Sequence, residues 1–599
     1  MIKNPLHNFH IPVMGLAYTI DTPFRVAHLG ISSVVSIIDD EIVEKMKNFY
    51  SSKFNLNYAP VSTKTQDYRA KRITDYLDMM EEMVNQKFQN FKEELISKKE
   101  SLKNFIDILP DTSSIKEELQ QFFSQKENPA LALKNFVEKH LSPGNIDVNI
   151  MTKVDKDNYE NNEQLPVIFN DAHASLRGFA QSKLSASLVL SAGMNPRLYS
   201  YLEEFEDFYP DQNGFIKKKI ILKVSDFRSA MIQGQFLAKK GLWVSEYRIE
   251  SGLNCGGHAF ATEGLLLGPI LDEFKNRKNE LSEAAHSLMT NALEGKQRIV
   301  PSKPLELKIT VQGGVGTSEE HQFLLDNYDV DSVGWGSPFL LVPEATAVDK
   351  ETRTLLATAK EEDFYLSNLS PLGVLFNTVK GTSNEKLREE RVQKGRAGSS
   401  CPKKLLALSK EFGEEGICTA SKKYQDLKLQ ELETESLQTA MNEEIILKRK
   451  QEITEKACLC VGLVNAAYLE SNLEIKGEKQ GVVICPGPNL AYFDKEVSLK
   501  KMIQHIYGKT NIISDENRPN MFIKELKMYV DYYLKNSTES LDAKNTAQKK
   551  WKTFRQNLIK GIDYYEELFK NSTFFKNDAE NIKMQLRKYQ HLLAEELVC

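Results

Sequence analysis

The chain contains no run approaching the ~18 apolar residues that a membrane-crossing helix requires. Its N-terminal stretch, "MIKNPLHNFHIPVMGLAYTI", also lacks the basic segment and unbroken apolar core of a secretory signal. A cytoplasmic protein is therefore expected, in which sequons such as Asn536-Ser537-Thr538 carry no meaning. Excess basic charge is missing too: 78 Lys and Arg stand against 83 Asp and Glu, a net charge of −5. No field of that kind invites nucleic acid or an anionic membrane surface. The seven cysteines include no Cys-x-x-Cys, and the chain shows no internal repeat and no low-complexity tract. Without an oxidising compartment the cysteines read as reduced thiols or ligands, not as a disulfide framework.

What the chain does contain is ordinary globular composition, 599 residues with 41% hydrophobic, enough for two to four domains. Short runs with the make-up of buried parallel strands recur at 10–17, 31–37, 146–151, 186–192, 219–224, 242–249, 307–312 and 330–336. Helical segments follow several of them: "TPFRVAHLG" after the first, "SDFRSAMIQGQFLAKKG" after the fifth, "SEEHQFLLDNY" after the seventh. Strand–helix alternation argues for a parallel sheet, and eight units match a closed α/β architecture, the TIM (β/α)8 barrel, with an open doubly wound sheet as the rival. The expected layout is a barrel from 1–39 and 143–350, and a helical insertion at 40–142 that is a candidate lid. A cysteine-containing region at 351–497 and a mostly helical C-terminal region at 498–599 follow. In the insertion Leu77, Met80, Val84, Phe88, Phe91 and Leu95 form one apolar stripe at steps of three and four, which reads as core packing.

Functional groups of such a barrel gather at the C-terminal strand ends. Three ends here are rich in glycine. "CGGHAF" at 255–260 sets Gly256 and Gly257 before His258; "VQGGVGTSEE" at 311–320 places Gly313 and Gly314 ahead of a helix; "GWGS" at 334–337 supplies Gly336 and Ser337. Bare backbone leading into a helix N-terminus suits a phosphate, because amide N–H groups and the helix dipole both face it. The loops after strands seven and eight are the usual pair for this task. Glu250 and Asn254 read as loop hydrogen-bonding groups, and His173 as part of a helix-capping context around Asn170 and Asp171.

These pieces, in this order, resemble the nitronate monooxygenase (2-nitropropane dioxygenase) family and the related FMN-linked enoyl reductases, over about 10–37 and 186–347. The resemblance implies an FMN-dependent oxidoreductase that oxidises or reduces an activated carbon of a small-molecule substrate, with O₂ or an electron donor as partner. It implies that Met14, Gly15 and Leu16 offer backbone to the flavin ring and that Lys223 stabilises negative charge on it. Gly313, Gly314, Gly336 and Ser337 would hold the phosphate, Gly256 and Gly257 would let backbone approach the cofactor, and His258 would be the catalytic base. Cys255 stands where the family has a small residue, and Trp335 is bulkier than the family pattern and could cover the flavin or phosphate. No second glycine-rich βαβ fingerprint marks a nicotinamide site.

Cys401, Cys418, Cys458, Cys460 and Cys485 crowd into 85 residues beyond the barrel. Soft thiolates can hold zinc or an iron–sulfur cluster, but Cys458-Leu459-Cys460 is an uncommon spacing, and reduced cysteine is also a normal core residue. Two readings other than flavoenzyme stand open: a non-flavin barrel lyase or synthase that binds a phosphorylated small molecule, and a non-catalytic scaffold.

Overall fold

Eight parallel strands close on themselves in the computed structural model, which describes residues 5–124, 130–191, 193–439, 441–515, 517–538 and 545–595. They are β1 (Phe9–Ile11), β2 (Ser32–Ser36), β3 (Ile146–Met151), β4 (Ala186–Ser191), β5 (Lys218–Val224), β6 (Val244–Glu250), β7 (Lys308–Gln312) and β8 (Ser332–Gly334). Around the ring the order is β1-β8-β7-β6-β5-β4-β3-β2, so every strand lies beside its sequence neighbour. The expected (β/α)8 barrel is what the chain builds. Its first strand is shorter than the 10–17 run suggested. Pro12 brings no N–H to a ladder, and Gly15 turns the chain at φ +54°.

Alternation along each strand sorts side chains into two layers. Val148, Ile150, Leu188, Leu190, Ile220, Leu222, Ile249, Ile309 and Val311 belong to the main core. Val34, Val189 and Ile221 form a small separate cluster. Beside it lies a buried polar set. Arg248 Nε donates to Glu246 Oε1 at 2.8 Å, and Thr310 Oγ1 donates to the same oxygen at 2.5 Å. Arg248 Nη2 is 3.8 Å from Asp147. Burial pushes the Asp147 carboxyl up to about 6, with Glu246 adding to the rise and Arg248 opposing it. These layers plug the barrel, and two residues further along the strands come Asn149, Lys223, Glu250 and Gln312, which line an open cavity.

Between β2 and β3 run α1 (Asp40–Lys53), α2 (Tyr68–Ser97), α3 (Lys99–Ile108), α4 (Ser114–Ser124) and α5 (Ala130–His140). Asp39 opens α1 by accepting from the N–H groups of Glu41 and Ile42. The apolar stripe of α2 is buried, with Phe91 only half-buried. The helix packs on α1 and on α6 (Asp171–Gln181), approaching so closely that a Cβ at Gly178 would sit 2.7 Å from Ala70 O. Among the described residues, none of 40–142 lines the strand-end cavity.

Three further barrel helices matter for the site: α7 (Phe227–Ala238), α8 (Leu267–Gly295) and α9 (Ser318–Tyr328). Past the barrel, β9 (Phe364–Ser367) and β10 (Phe376–Val379) pair antiparallel, and Gly257–His258 adds a short third rung to β10. The cysteine-containing region contributes α10 (Leu459–Glu470), and the C-terminal region α11 (Met521–Thr538), α12 (Asn545–Asn571) and α13 (Ala579–Glu595). Among the described residues no helix is long and apolar enough to cross a membrane.

Candidate cofactor and active site

A cavity of about 750 Å³ opens at the C-terminal ends of the strands, a size suited to a cofactor and a small substrate. Its floor is polar. Gln312 Nε2 donates to Glu250 Oε1 at 2.6 Å, and Lys223 Nζ is 2.8 Å from the same oxygen. Gln312 Oε1 lies beside the His10 ring, whereas Asn149 Oδ1 and Asn254 Oδ1 are buried and lack a hydrogen-bond partner among the described residues. A buried acceptor left alone is costly, so these carbonyls fit a ligand that brings N–H donors.

All three glycine tips meet this cavity. Gly313 (φ +114°) and Gly314 (φ +85°) hold backbone that L-residues rarely adopt. A Cβ on Gly313 would lie 2.6 Å from Cys255 Sγ, and one on Gly314 only 2.1 Å from Asn254 Nδ2. Across the cavity Gly336 faces Pro12 and Met14, a Cβ there falling 3.4 Å from Pro12 Cγ. The N–H groups of Gly313, Gly314, Gly336 and Ser337 donate to none of the described residues. Four free amides on two adjacent tips form the cradle expected for an anion.

One part of the phosphate expectation is corrected. The N-terminus of α9 is already filled. Glu320 Oε2 accepts from Gly316 N at 2.8 Å and Thr317 N at 3.2 Å, while Thr317 Oγ1 accepts from Glu320 N in a capping box. A carboxylate of the chain thus occupies the place a phosphate would take, and any anion is left to the glycine amides. Ser337 contributes differently as well: its Oγ accepts from Gly487 N at 2.7 Å.

The Gly256–Gly257 backbone is bare for a structural reason. A Cβ on Gly256 would stand 2.5 Å from Cys485 O, and Gly257 N donates to that oxygen at 3.1 Å. Gly256 therefore makes room for the 485–487 segment, whereas Gly257, at φ +77°, has open space beside it. His258 lines the cavity, its Nε2 2.7 Å from Ser370 Oγ and its ring edge-on to Phe376. Its other ring nitrogen makes no hydrogen bond to a described residue. Burial, then Lys153 and Lys223, lowers its pKa to about 4, so the imidazole is neutral at pH 7 and a weak base. Met14, Gly15 and Leu16 line the wall by β1.

One residue does not stand where the resemblance suggested. Trp335 is fully buried and faces outward, its Nε1 donating to His321 Nδ1 at 3.2 Å; alternation along β8 puts its neighbours Gly334 and Gly336, not Trp335, on the cavity. His173 pairs with Asp155 at 3.0 Å and is absent from the lining. Cys255 lines the cavity with Sγ 3.6 Å from Gln312 O, and burial pushes its thiol well up, so it stays protonated.

The cysteines beyond the barrel split. Cys401, Cys418, Cys458 and Cys460 are buried near one another. Burial holds Cys458 up at about 12. Cys485 lies apart, against Tyr18 and Gly15 in the cavity wall. Among the described residues no group of three or more His, Cys, Asp or Glu side chains is placed to hold a metal ion, and of the two readings of these cysteines the zinc or iron–sulfur site finds no support.

Residues that sequence reasoning passed over are Asn149 and, at the cavity's rim, Lys153, Arg228 and Phe260, while Glu250 and Asn254, read only as loop hydrogen-bonding groups, also line the cavity. Glu250 was legible in principle, being in phase with the inward-facing Glu246 and Arg248. Arg228, in the first turn of α7, carried no such signal.

No family model and no curated protein matches the chain. Among solved structures it is similar to FabK from Thermotoga maritima (11% identity, TM-score 0.35, covering 88% of this chain and 96% of that one). It is similar also to the enoyl reductase domain of MlnA from Bacillus amyloliquefaciens (16%, 0.32, 69% and 86%) and to nitroalkane oxidase from Streptomyces ansochromogenes (10%, 0.33, 84% and 94%). Identities and scores this low assign neither an activity nor a residue role to this chain.

Proposed function

We propose that this chain is an FMN-dependent oxidoreductase of the nitronate monooxygenase or enoyl reductase kind, acting on an activated carbon of a small organic molecule. The observation that carries the reading is the meeting of three glycine tips at one cavity whose tip amides and floor carbonyls lack partners. Gly313, Gly314, Gly336 and Ser337 would hold the phosphate through backbone N–H groups. Asn149 would receive the ring's N–H, and Met14, Gly15 and Leu16 would lie against it. FMN bound there supplies two-electron chemistry at a carbon.

The chain's own part is proton handling and charge. His258, neutral at working pH, would take a proton from the substrate carbon. Lys223 would stabilise developing negative charge, with Glu250 as its counter-ion until that charge appears. Lys153 stands 5.3 Å from the Phe260 ring at the rim, which offers a cation and an apolar face to an incoming substrate. Identification of the ligand tests the reading: protein denatured by heat should release one flavin per chain, and chromatography should show it to be FMN. Release of a non-flavin phosphorylated compound would favour the lyase reading instead.

A further inference from the structure

Arg518 comes from the C-terminal region, 204 residues beyond the loop it touches, and its side chain is only 5% exposed. Its Nη1 and Nη2 donate to the two oxygens of Glu320 at 2.7 and 2.9 Å, a bidentate pair, and Nη2 also donates to Gly314 O at 2.9 Å. Nε donates to Asn489 Oδ1 at 2.9 Å, while Asn489 Nδ2 donates to Val315 O at 2.8 Å. Glu320 in turn accepts from Met521 N at 2.7 Å. The guanidinium lies so close to the loop that a Cβ on Gly316 would be 2.6 Å from it.

A trans peptide turns its N–H opposite to its C=O. Holding Gly314 O against Arg518 therefore aims the N–H of Val315 the other way, and Val315 lines the cavity. Holding Glu320 keeps its carboxylate on the α9 N-terminus, so that end of the helix stays closed to other anions. Arg518 thus fixes, from outside, the direction of the Val315 amide, which adjoins those of Gly313 and Gly314 in the loop, and keeps the α9 N-terminus from competing for an anion. Its charge is spent on Glu320, which leaves the amides, not the guanidinium, to meet the ligand.

We propose that Arg518 is a positioning residue for the phosphate cradle, and that discrimination between a phosphorylated and an unphosphorylated flavin depends on it. This rests on the proposed FMN site. The test is titration of flavin-free protein with FMN and with riboflavin, for the wild type, Arg518→Lys and the Arg518→Met/Glu320→Gln pair. Lysine keeps the charge beside Glu320 but loses the fork, and the double variant leaves no buried charge unpaired. Thermal melting reports whether each is folded. The expected result is wild-type preference for FMN, and in both variants an FMN affinity about 10–100-fold weaker, the worth of one charge-assisted hydrogen bond, with riboflavin affinity changed less than about threefold. Equal losses for both flavins would reduce Arg518 to a structural prop, and no change in either would overturn the proposal. A wild type that binds riboflavin as well as FMN would overturn it too while leaving the flavin site intact; a wild type that binds neither would sink the proposed function and this inference together.

Discussion

Any side chain at Gly314 meets Asn254 Nδ2 at 2.1 Å and must adopt φ +85°. Gly314→Val should therefore abolish flavin retention while the barrel, whose core lies elsewhere, still melts cooperatively. His258→Ala removes a group that touches the cavity without building its cradle. Flavin should stay bound while turnover falls by about 10²–10⁴-fold, the usual range for a lost general base. The lowered His258 pKa adds a sign. A base must be unprotonated, so kcat/KM should hold level from pH 8 down to pH 5 as far as this residue is concerned, and fall only as pH drops through about 4. A limb near pH 6.5 that vanishes in His258→Ala would show the imidazole to be far less buried than it stands here.

At the scale of elements, α11 carries a carboxyl into the wall of the site. Glu525 Oε1 accepts from Ser251 Oγ at 2.5 Å and Oε2 from Leu267 N, the first residue of α8, at 2.8 Å. Full burial raises its pKa from 4.5 to about 7, and Cys255, Tyr529 and Tyr565 are the titratable groups that feel it. Between pH 4.5 and 7 the folded chain holds a proton that the unfolded chain releases, so this group's contribution is complete below pH 4.5 and is lost as pH rises through 7. Relative to wild type, Glu525→Gln should gain stability across that window, on the order of 3 kcal/mol, as read by denaturant melts at pH 4.5 and 7.5. A pH-independent difference would contradict the assignment. Elements of the barrel were legible in sequence because each strand pairs with its neighbour and shows its apolar run locally. The three tips were legible because glycine is a local signal. At Gly256 the sequence left one neighbour unseen: Cys485 O, more than 200 residues away in the chain, approaches it, and no periodicity announces such a contact.

The whole molecule closes its site with parts from beyond the barrel. Gly487 N on Ser337, Arg518 on Gly314, Glu525 on Ser251 and Phe376 beside His258 all come from after residue 350. Polar groups such as Asn489 and Arg518 carry no signature in sequence, because only the folded chain brings them to the loop. A chain ended at residue 350 should accordingly fail to retain flavin, even if refolded with excess FMN. The central claim, a flavin held by the strand-end glycines, is tested most directly by the absorption spectrum of the purified full-length protein, incubated with FMN and desalted, beside folded Gly314→Val treated alike. The account predicts a band near ~450 nm in the wild type that dithionite bleaches, and no such band in the variant. A wild type that stays colourless, or a variant as yellow as the wild type, would contradict it.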